Sequence, residues 1–157
     1  ILRSLKMYYD QILQQTYEQI SHLSDFIFIL KKLQRSIVSN DLVEIEISVD
    51  QEEKILNRIK ICEDNRSEAV KMALKHYQLE ANNNDALDKL ADVLLAIDPE
   101  IHEEFNQVRT ILLEKVKEIL LLNSQNEIII SNSRQFIRDL IKNILGTKKE
   151  NFFDRKV

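Results

Sequence analysis

Residues 99–145 read PEIHEEFNQVRTILLEKVKEILLLNSQNEIIISNSRQFIRDLIKNIL, and after Pro99 this stretch contains neither proline nor glycine. Its apolar positions recur at steps of three or four, the spacing that places side chains on one face of a helix. The predicted seam comprises Ile101, Phe105, Val108, Leu112, Val116, Ile119, Asn123, Asn126, Ile130, Ser133, Ile137, Leu140 and Ile144. Asp98 and Pro99 suit the N-cap and the first helical position, and Gly146 stands where helices commonly stop. The stretch therefore predicts one helix about 70 Å long.

Two further long segments carry a similar helical spacing. They run over about residues 2–38 and 41–77. Asp41, with Glu44 three residues later, predicts a capping box at the start of the second of these helices. In that helix we expect one heptad track to form the seam, and it comprises Leu42, Ile45, Val49, Leu56, Ile59, Val70, Ala73 and Tyr77.

A short helix is predicted over Ala86–Ile97, after an asparagine-rich linker and with Asp85 as its N-cap. The chain has one glycine and one proline, whereas average composition predicts about ten of each. Because β-rich folds need many turn glycines, the sequence predicts an all-α protein. We expect an elongated antiparallel helical bundle or coiled coil of three long helices and one short helix. Residues 1–146 would form this single domain, and residues 147–157 a flexible C-terminal tail.

Composition and charge argue against several functional classes. The net charge is −4, from 22 basic and 26 acidic residues that are interspersed along the chain. The sequence therefore has no basic stripe for nucleic acid and no polybasic amphipathic helix for a membrane surface. The longest apolar run, Phe26–Leu30, is far shorter than the ~20 residues that span a bilayer. The single Cys62 makes no internal disulfide, which indicates a reduced, cytoplasmic location.

Residues that support catalysis or metal binding are scattered along the chain. A single glycine leaves no room for a phosphate-binding loop or a nucleophile elbow. His22, His76 and His102 are isolated, and His102 has no second histidine at the spacing of a zinc helix. Cys62 has no histidine on a neighbouring turn, so inert packing is its expected role. We predict that the protein is not an enzyme, uses no cofactor or metal, and works by binding a partner.

Asn123 and Asn126 are the unusual feature of the last helix. They lie three apart on its predicted seam, where leucine or isoleucine would pack better. An asparagine at a core position lowers stability and fixes the register between helices. Two interpretations follow from the spacing: a register lock inside the bundle, or a polar contact with a partner.

The apolar surface of the last helix widens after these asparagines. About four positions in seven become apolar, whereas a two-helix seam needs about two in seven. Either neighbouring helices cover this end, or it is an uncovered groove for an amphipathic helix. The candidate partner-binding residues are Asn123, Asn126, Ile129, Ile130, Ser133, Phe136, Ile137, Leu140 and Ile144. Phe152 and Phe153 in the polar tail are a separate docking candidate, unless the tail folds back onto the bundle.

The segment Leu122-Asn123-Ser124-Gln125-Asn126 resembles the Leu-Asn-x-x-Asn signature on the last helix of the FlgN family of flagellar export chaperones. Residues 33–41 are similar to that family's leucine-rich stretch, which ends in a small polar turn with Asp. Glu52-Glu53, Leu56 and Arg66 are similar to its Glu-Glu, Leu and Arg pattern. The resemblance covers residues 23–145.

This resemblance implies a cytoplasmic chaperone without ATPase activity. Such a protein holds the C-terminal helical segments of flagellar hook-associated proteins and delivers them to the type III export apparatus. Asn123, Asn126 and the apolar positions through Ile144 would carry client binding. The family's tail often has a Tyr, a small or polar residue and a glycine for docking at the export gate, and here the nearest match is Phe153-Asp154, with no glycine after it. The alternative is a structural or sensory coiled-coil module that forms a homodimer through its apolar seams.

Overall fold

A computed structural model describes residues 2–82 and 85–145 of the chain, with the side chains of residues 2–5 and 145 left out. Four helices account for it: α1 (Leu2–Val38), α2 (Leu42–His76), α3 (Ala86–Ile97) and α4 (Pro99–Leu145). No strand occurs in this part of the chain. The predicted all-α class, with three long helices and one short helix, is confirmed. Gly146 and the predicted tail, residues 147–157, lie outside the described residues.

The helix ends follow the capping predictions in two cases of three. The Asp41 carboxylate accepts a hydrogen bond from the Glu44 backbone N–H at 3.1 Å, and Asp98 does the same for Ile101 at 3.3 Å. Asp85 holds the N-cap position of α3, but its carboxylate makes no capping hydrogen bond. Its backbone, at φ −112° and ψ 0°, lies outside the extended region from which an N-cap side chain reaches the first turn.

The capping box predicted for α2 is formed on one side only. A complete box also needs the glutamate to reach back to the N-cap backbone N–H. Glu44 instead pairs with Lys32 of α1, with 3.2 Å between Oε2 and Nζ. The Asp41 N–H donates to the backbone carbonyl of Ser36. Glu44 therefore links α2 to α1 and does not close its own cap.

The contacts of α1 fix the direction of its neighbours. In its first half α1 meets the second half of α2, where the Cys62 thiol donates to the Gln15 carbonyl. Towards its end it meets the beginning of α2, through Lys32 and Glu44. These two contacts run in opposite order along the two helices.

The contacts between α1 and α4 run in the same order along both helices. The Tyr17 hydroxyl donates to Glu104, and further along Lys31 pairs with Glu118 at 3.1 Å. Helices α2 and α4 both pack on α1. Within the described residues, however, no Cα atom of α2 comes within 8 Å of a Cα atom of α4.

The core has two parts. The larger part combines side chains from all four helices around Tyr9, Leu90 and Phe105. The Tyr9 hydroxyl donates to the Leu90 carbonyl at 2.7 Å, and its ring meets Phe105 edge-on at 6.2 Å between centroids. The smaller part uses only α1, α2 and α4, and comprises Phe26, Ile27, Leu30, Ile55 and Leu122. Helix α3 therefore covers only one end of the molecule.

The seam predicted for α2 is wrong at Leu42, Val49 and Leu56, which are all exposed. Ser48 and Ile55, each one residue before Val49 and Leu56, are buried. Ile55 packs with Phe26 and Ile27 of α1. The buried positions recur every seven residues at Ser48, Ile55, Cys62 and Ala69. Three of these four side chains are small, and small side chains let two helix axes approach closely. A search for large apolar residues therefore selects the neighbouring track, which stays at the surface.

Among the described residues, no helix is both long enough and apolar enough to cross a membrane.

Candidate functional site

Asn126 lies inside the bundle. Its side chain is 3% exposed, and Nδ2 donates to the backbone carbonyl of Leu30 on α1 at 3.3 Å. Leu30 itself is fully buried. The Asn126 Oδ1 atom has no hydrogen-bond partner among the described residues. This geometry fits the register-lock interpretation, because the amide joins α4 to α1 at one level and is incompletely satisfied there.

Asn123 is exposed, so its predicted place on the seam is wrong. The buried residue at this level is its neighbour Leu122, which packs against Phe26 and Ile27 of α1. The next buried side chain of α4 is Asn126, about one turn after Leu122. The Leu-Asn-x-x-Asn segment thus presents its leucine and second asparagine to α1 and its first asparagine to the surface.

The second half of α4 leaves the bundle after these residues. Gln125 accepts a hydrogen bond from Gln34 of α1 at 3.2 Å, and α1 ends at Val38. Two helices that run side by side rise equally per residue, so from about residue 129 α4 has no α1 beside it. Every described side chain from 131 to 140 is exposed.

The widened apolar surface of α4 is therefore uncovered within the described part of the chain. Phe136 is 66% exposed and Ile144 is 70% exposed, and Ile137 and Leu140 are also exposed. The alternative that neighbouring helices cover this end does not hold for the helices that the structure describes. Ile129 and Ile130 are half-buried, and Ser133 is exposed.

The candidate residues share one side of α4. At about 100° per residue, the eight candidates from Asn126 to Ile144 fall within about one third of the circumference, with Ile130 at its edge. We call the part of this side beyond Asn126 the α4 distal face, and it comprises Ile129, Ile130, Ser133, Phe136, Ile137, Leu140 and Ile144. Asn126 lies on the same side of the helix but is buried. Ile128, which is also exposed, lies on the opposite side of the helix. Asn123 lies at the margin, next to Ile130.

Cys62 has the environment of a packing residue. It is buried, and its Sγ donates to the Gln15 carbonyl at 3.4 Å. Burial raises the pKa of the Cys62 thiol, and the nearby Glu18 and Glu63 carboxylates raise it further. Nucleophilic cysteines have a lowered pKa, so this thiol stays protonated at neutral pH. No group of three metal-ligating side chains occurs among the described residues.

Sequence reasoning missed an exposed apolar track on α2. It placed Leu42, Val49 and Leu56 in the core, and all three are exposed. The available signal was the repeat of small residues at Ser48, Cys62 and Ala69, which marks the side that packs closely on α1. The other predicted docking residues, Phe152 and Phe153, lie outside the described residues.

No curated protein and no solved structure matches this chain. The family model described as FlgN protein matches residues 7–156, which is nearly the whole sequence. The match includes the asparagine segment, the α4 distal face and all four helices apart from the first turns of α1. The chain therefore belongs to the FlgN family.

Proposed function

We propose that this protein is a cytoplasmic export chaperone for flagellar hook-associated proteins. It binds the C-terminal amphipathic helical segment of such a client, prevents the client's premature assembly, and delivers it to the flagellar type III export apparatus. Membership of the FlgN family supports a flagellar export chaperone role in general. The single observation that carries the proposal is the α4 distal face, an apolar helix surface that the described helices leave uncovered.

The chemistry of the α4 distal face suits a transient helical client. An amphipathic helix buries its apolar stripe against such a surface, with anchors spaced at three, four and seven residues. Ile130, Ile137 and Ile144 offer matching anchors at intervals of seven. Binding through apolar area, without buried ion pairs, gives a moderate affinity that permits release at the export apparatus. Ser133, which is exposed, would supply a polar group within the contact.

Calorimetry with a synthetic peptide tests this proposal. The peptide comprises the C-terminal helical segment of a hook-associated protein from the same organism. We expect one-to-one binding with a negative heat-capacity change, because apolar surface is buried. Ile137→Asp places a charge at the centre of the face and should weaken binding at least about tenfold.

Ile128→Asp is the matched control for this test. Ile128 is the same residue type, is exposed to a similar degree and lies on the opposite side of the same helix. It should bind the peptide as the wild type does, and both variants should keep their far-UV helicity. Equal binding by the Ile137 and Ile128 variants would show that the client does not use this face.

A homodimer would cover the same face and is the competing explanation. Light scattering on the protein alone and with the peptide separates the two. A chaperone gives a one-to-one complex with the peptide, whatever its state when free. A stable dimer that the peptide neither binds nor dissociates contradicts the chaperone and favours a structural coiled-coil module.

The tail is proposed to dock the loaded chaperone at the export apparatus through Phe152 and Phe153. A chain that ends at residue 146 should then bind the peptide normally and fail to support client export. Normal export by this shortened chain would remove the tail from the mechanism.

A further inference from the structure

Helix α3 lies across the space between α2 and α4. It contacts both helices, and Val70 of α2 lines a cavity together with Leu87 of α3. On the other side, Arg109 of α4 donates to Asp88 of α3 at 2.7 Å. The Tyr9 hydroxyl of α1 donates a hydrogen bond to the Leu90 carbonyl of α3. These contacts show which flanks of α2 and α4 face the space that α3 fills.

The α3-facing flank of α2 continues past the end of α3. Positions seven apart stay on one flank of a helix, with a drift of about 20° per interval. From Val70, which is buried in the core cluster shared with α3, this flank passes through Glu63, Leu56, Val49 and Leu42. Val49 is 49% exposed and Leu56 is 43% exposed. The flank is therefore apolar and open where α3 no longer covers it.

The α3-facing flank of α4 continues in the same way. From Arg109, intervals of seven pass through Val116, Asn123, Ile130 and Ile137. Val116 and Asn123 are exposed and Ile130 is half-buried. The same heptad track thus leads from the α3 contact to the α4 distal face, with a total drift of about 80° around the helix axis.

We propose that these two flanks form one docking surface, and that a single amphipathic helix of the client lies on it in line with α3. We call this surface the α2–α4 face, and it comprises Leu42, Val49 and Leu56 of α2 with Val116, Asn123 and Ile130 of α4. The inference rests on the proposed chaperone function and extends its site from α4 alone to α2.

A helix is the occupant that the neighbouring structure favours. α3 is itself a short amphipathic helix between the same two flanks, with Leu90 and Leu94 buried beneath it. The α2–α4 face prolongs that interface with the same kind of side chains. Between Glu63 and Leu42 the face is about 30 Å long at about 1.5 Å per residue, room for a helix of about 20 residues.

Two polar groups on or beside the α2–α4 face define what the bound helix should carry. The Asn123 amide is exposed and can pair with a polar side chain. Glu52 is half-buried between the α1 contact and the open flank, and no ion pair to it occurs among the described residues. Burial raises the pKa of its carboxyl. A lysine or arginine of the bound helix would relieve that unfavourable burial.

Leu56→Asp tests the α2–α4 face with the calorimetric peptide titration described for the α4 distal face. Ile61→Asp is the matched control, because Ile61 is an exposed apolar residue of the same helix, about 140° away around its axis. We expect the Leu56 variant to bind at least about tenfold more weakly and the Ile61 variant to bind like the wild type. Far-UV helicity checks that both variants are folded.

A photo-crosslinking amino acid gives a second measurement that keeps the surface apolar. Benzoylphenylalanine at position 56 should crosslink to the peptide, and at position 61 it should not. If Ile137→Asp prevents binding but the Leu56 variant binds normally and position 56 gives no crosslink, α2 does not take part and the inference is wrong. That result leaves the chaperone function standing, whereas a wild type that does not bind the peptide overturns both.

Discussion

Replacing Asn126 by leucine tests whether this residue is a register lock that lowers stability. Leucine has the same branching as asparagine, so the change exchanges a polar group for an apolar one with little change of shape. In the wild type, Nδ2 has one long hydrogen bond, to the Leu30 carbonyl at 3.3 Å. Oδ1 is buried without a partner among the described residues. The Leu30 carbonyl lies within α1, where a residue one turn on supplies its regular helical hydrogen bond.

The magnitude follows from these contacts. A buried polar atom without a partner costs about 1–3 kcal/mol, and an intramolecular hydrogen bond contributes about 1 kcal/mol net. The leucine variant removes the first cost and loses the second contribution, and its methyl groups add apolar burial. We expect Asn126→Leu to raise the free energy of unfolding by about 1–2 kcal/mol.

Urea denaturation followed by far-UV circular dichroism measures this change. Asn123→Leu is the control, since Asn123 is exposed on the same helix and its substitution should change stability by less than about 0.5 kcal/mol. An unchanged slope with a higher midpoint would show that stability itself has increased. A variant less stable than the wild type would refute the reasoning, because the amide would then be fully satisfied in the folded state.

Three further predictions concern stability. Tyr9→Phe should lower the free energy of unfolding by about 1 kcal/mol. Because burial raises the pKa of Tyr9 above its ordinary value of 10.0, the stability of the wild type should fall as the pH rises above that value. Urea midpoints of the variant should not show this fall. Burial also raises the pKa of Glu52 above its ordinary value of 4.5, so just above that pH the folded state binds more protons than the unfolded state. Stability therefore falls as the pH rises from the ordinary pKa through the raised one. Glu52→Gln should therefore have a higher melting temperature than the wild type at neutral pH, and this difference should vanish below pH 4.5. Asp98→Ala removes an N-cap and should lower the free energy of unfolding in urea by about 1 kcal/mol. The Asp85 carboxylate makes no capping hydrogen bond, so Asp85→Ala should lower it less. Equal losses in the two variants would contradict the capping argument.

The helices could be predicted from the sequence because their signals are local. The near absence of glycine and proline, the steps of three and four, and the caps at Asp41 and Asp98 all act within a turn or two of the chain. These features fix where each helix begins and ends. They do not state which helix packs on which, and this information decides the rest of the structure.

Which residues of each helix are buried depends on the neighbouring helix, and the sequence does not show which helices are neighbours. On α2 the apolar residues Val49 and Leu56 look like core. The buried track instead comprises Ser48, Ile55, Cys62 and Ala69, and three of these four side chains are small enough for close approach of the helices. On α4 the same uncertainty of one position separated Leu122 from Asn123. The size of the apolar side chains favours the track that stays exposed on α2, so only the packing of the helices shows which track is buried.

The sequence assigned the tracks of Val49 and Leu56 on α2 and of Val116 and Asn123 on α4 to the core. These exposed tracks form the proposed α2–α4 face. A slip of α4 by one heptad along α1 would move its distal face by about 10 Å and would replace Asn126 opposite Leu30 with Ile119 or Ser133. The α2 flank with Val49 and Leu56 would then no longer stand level with Val116 and Asn123. A polar residue that fixes the register at Leu30 therefore also fixes how the two flanks of the α2–α4 face are matched. On this reasoning Asn126 contributes to client binding through α4's position on α1, and Asn126→Leu should weaken the peptide affinity while it raises the stability of the fold.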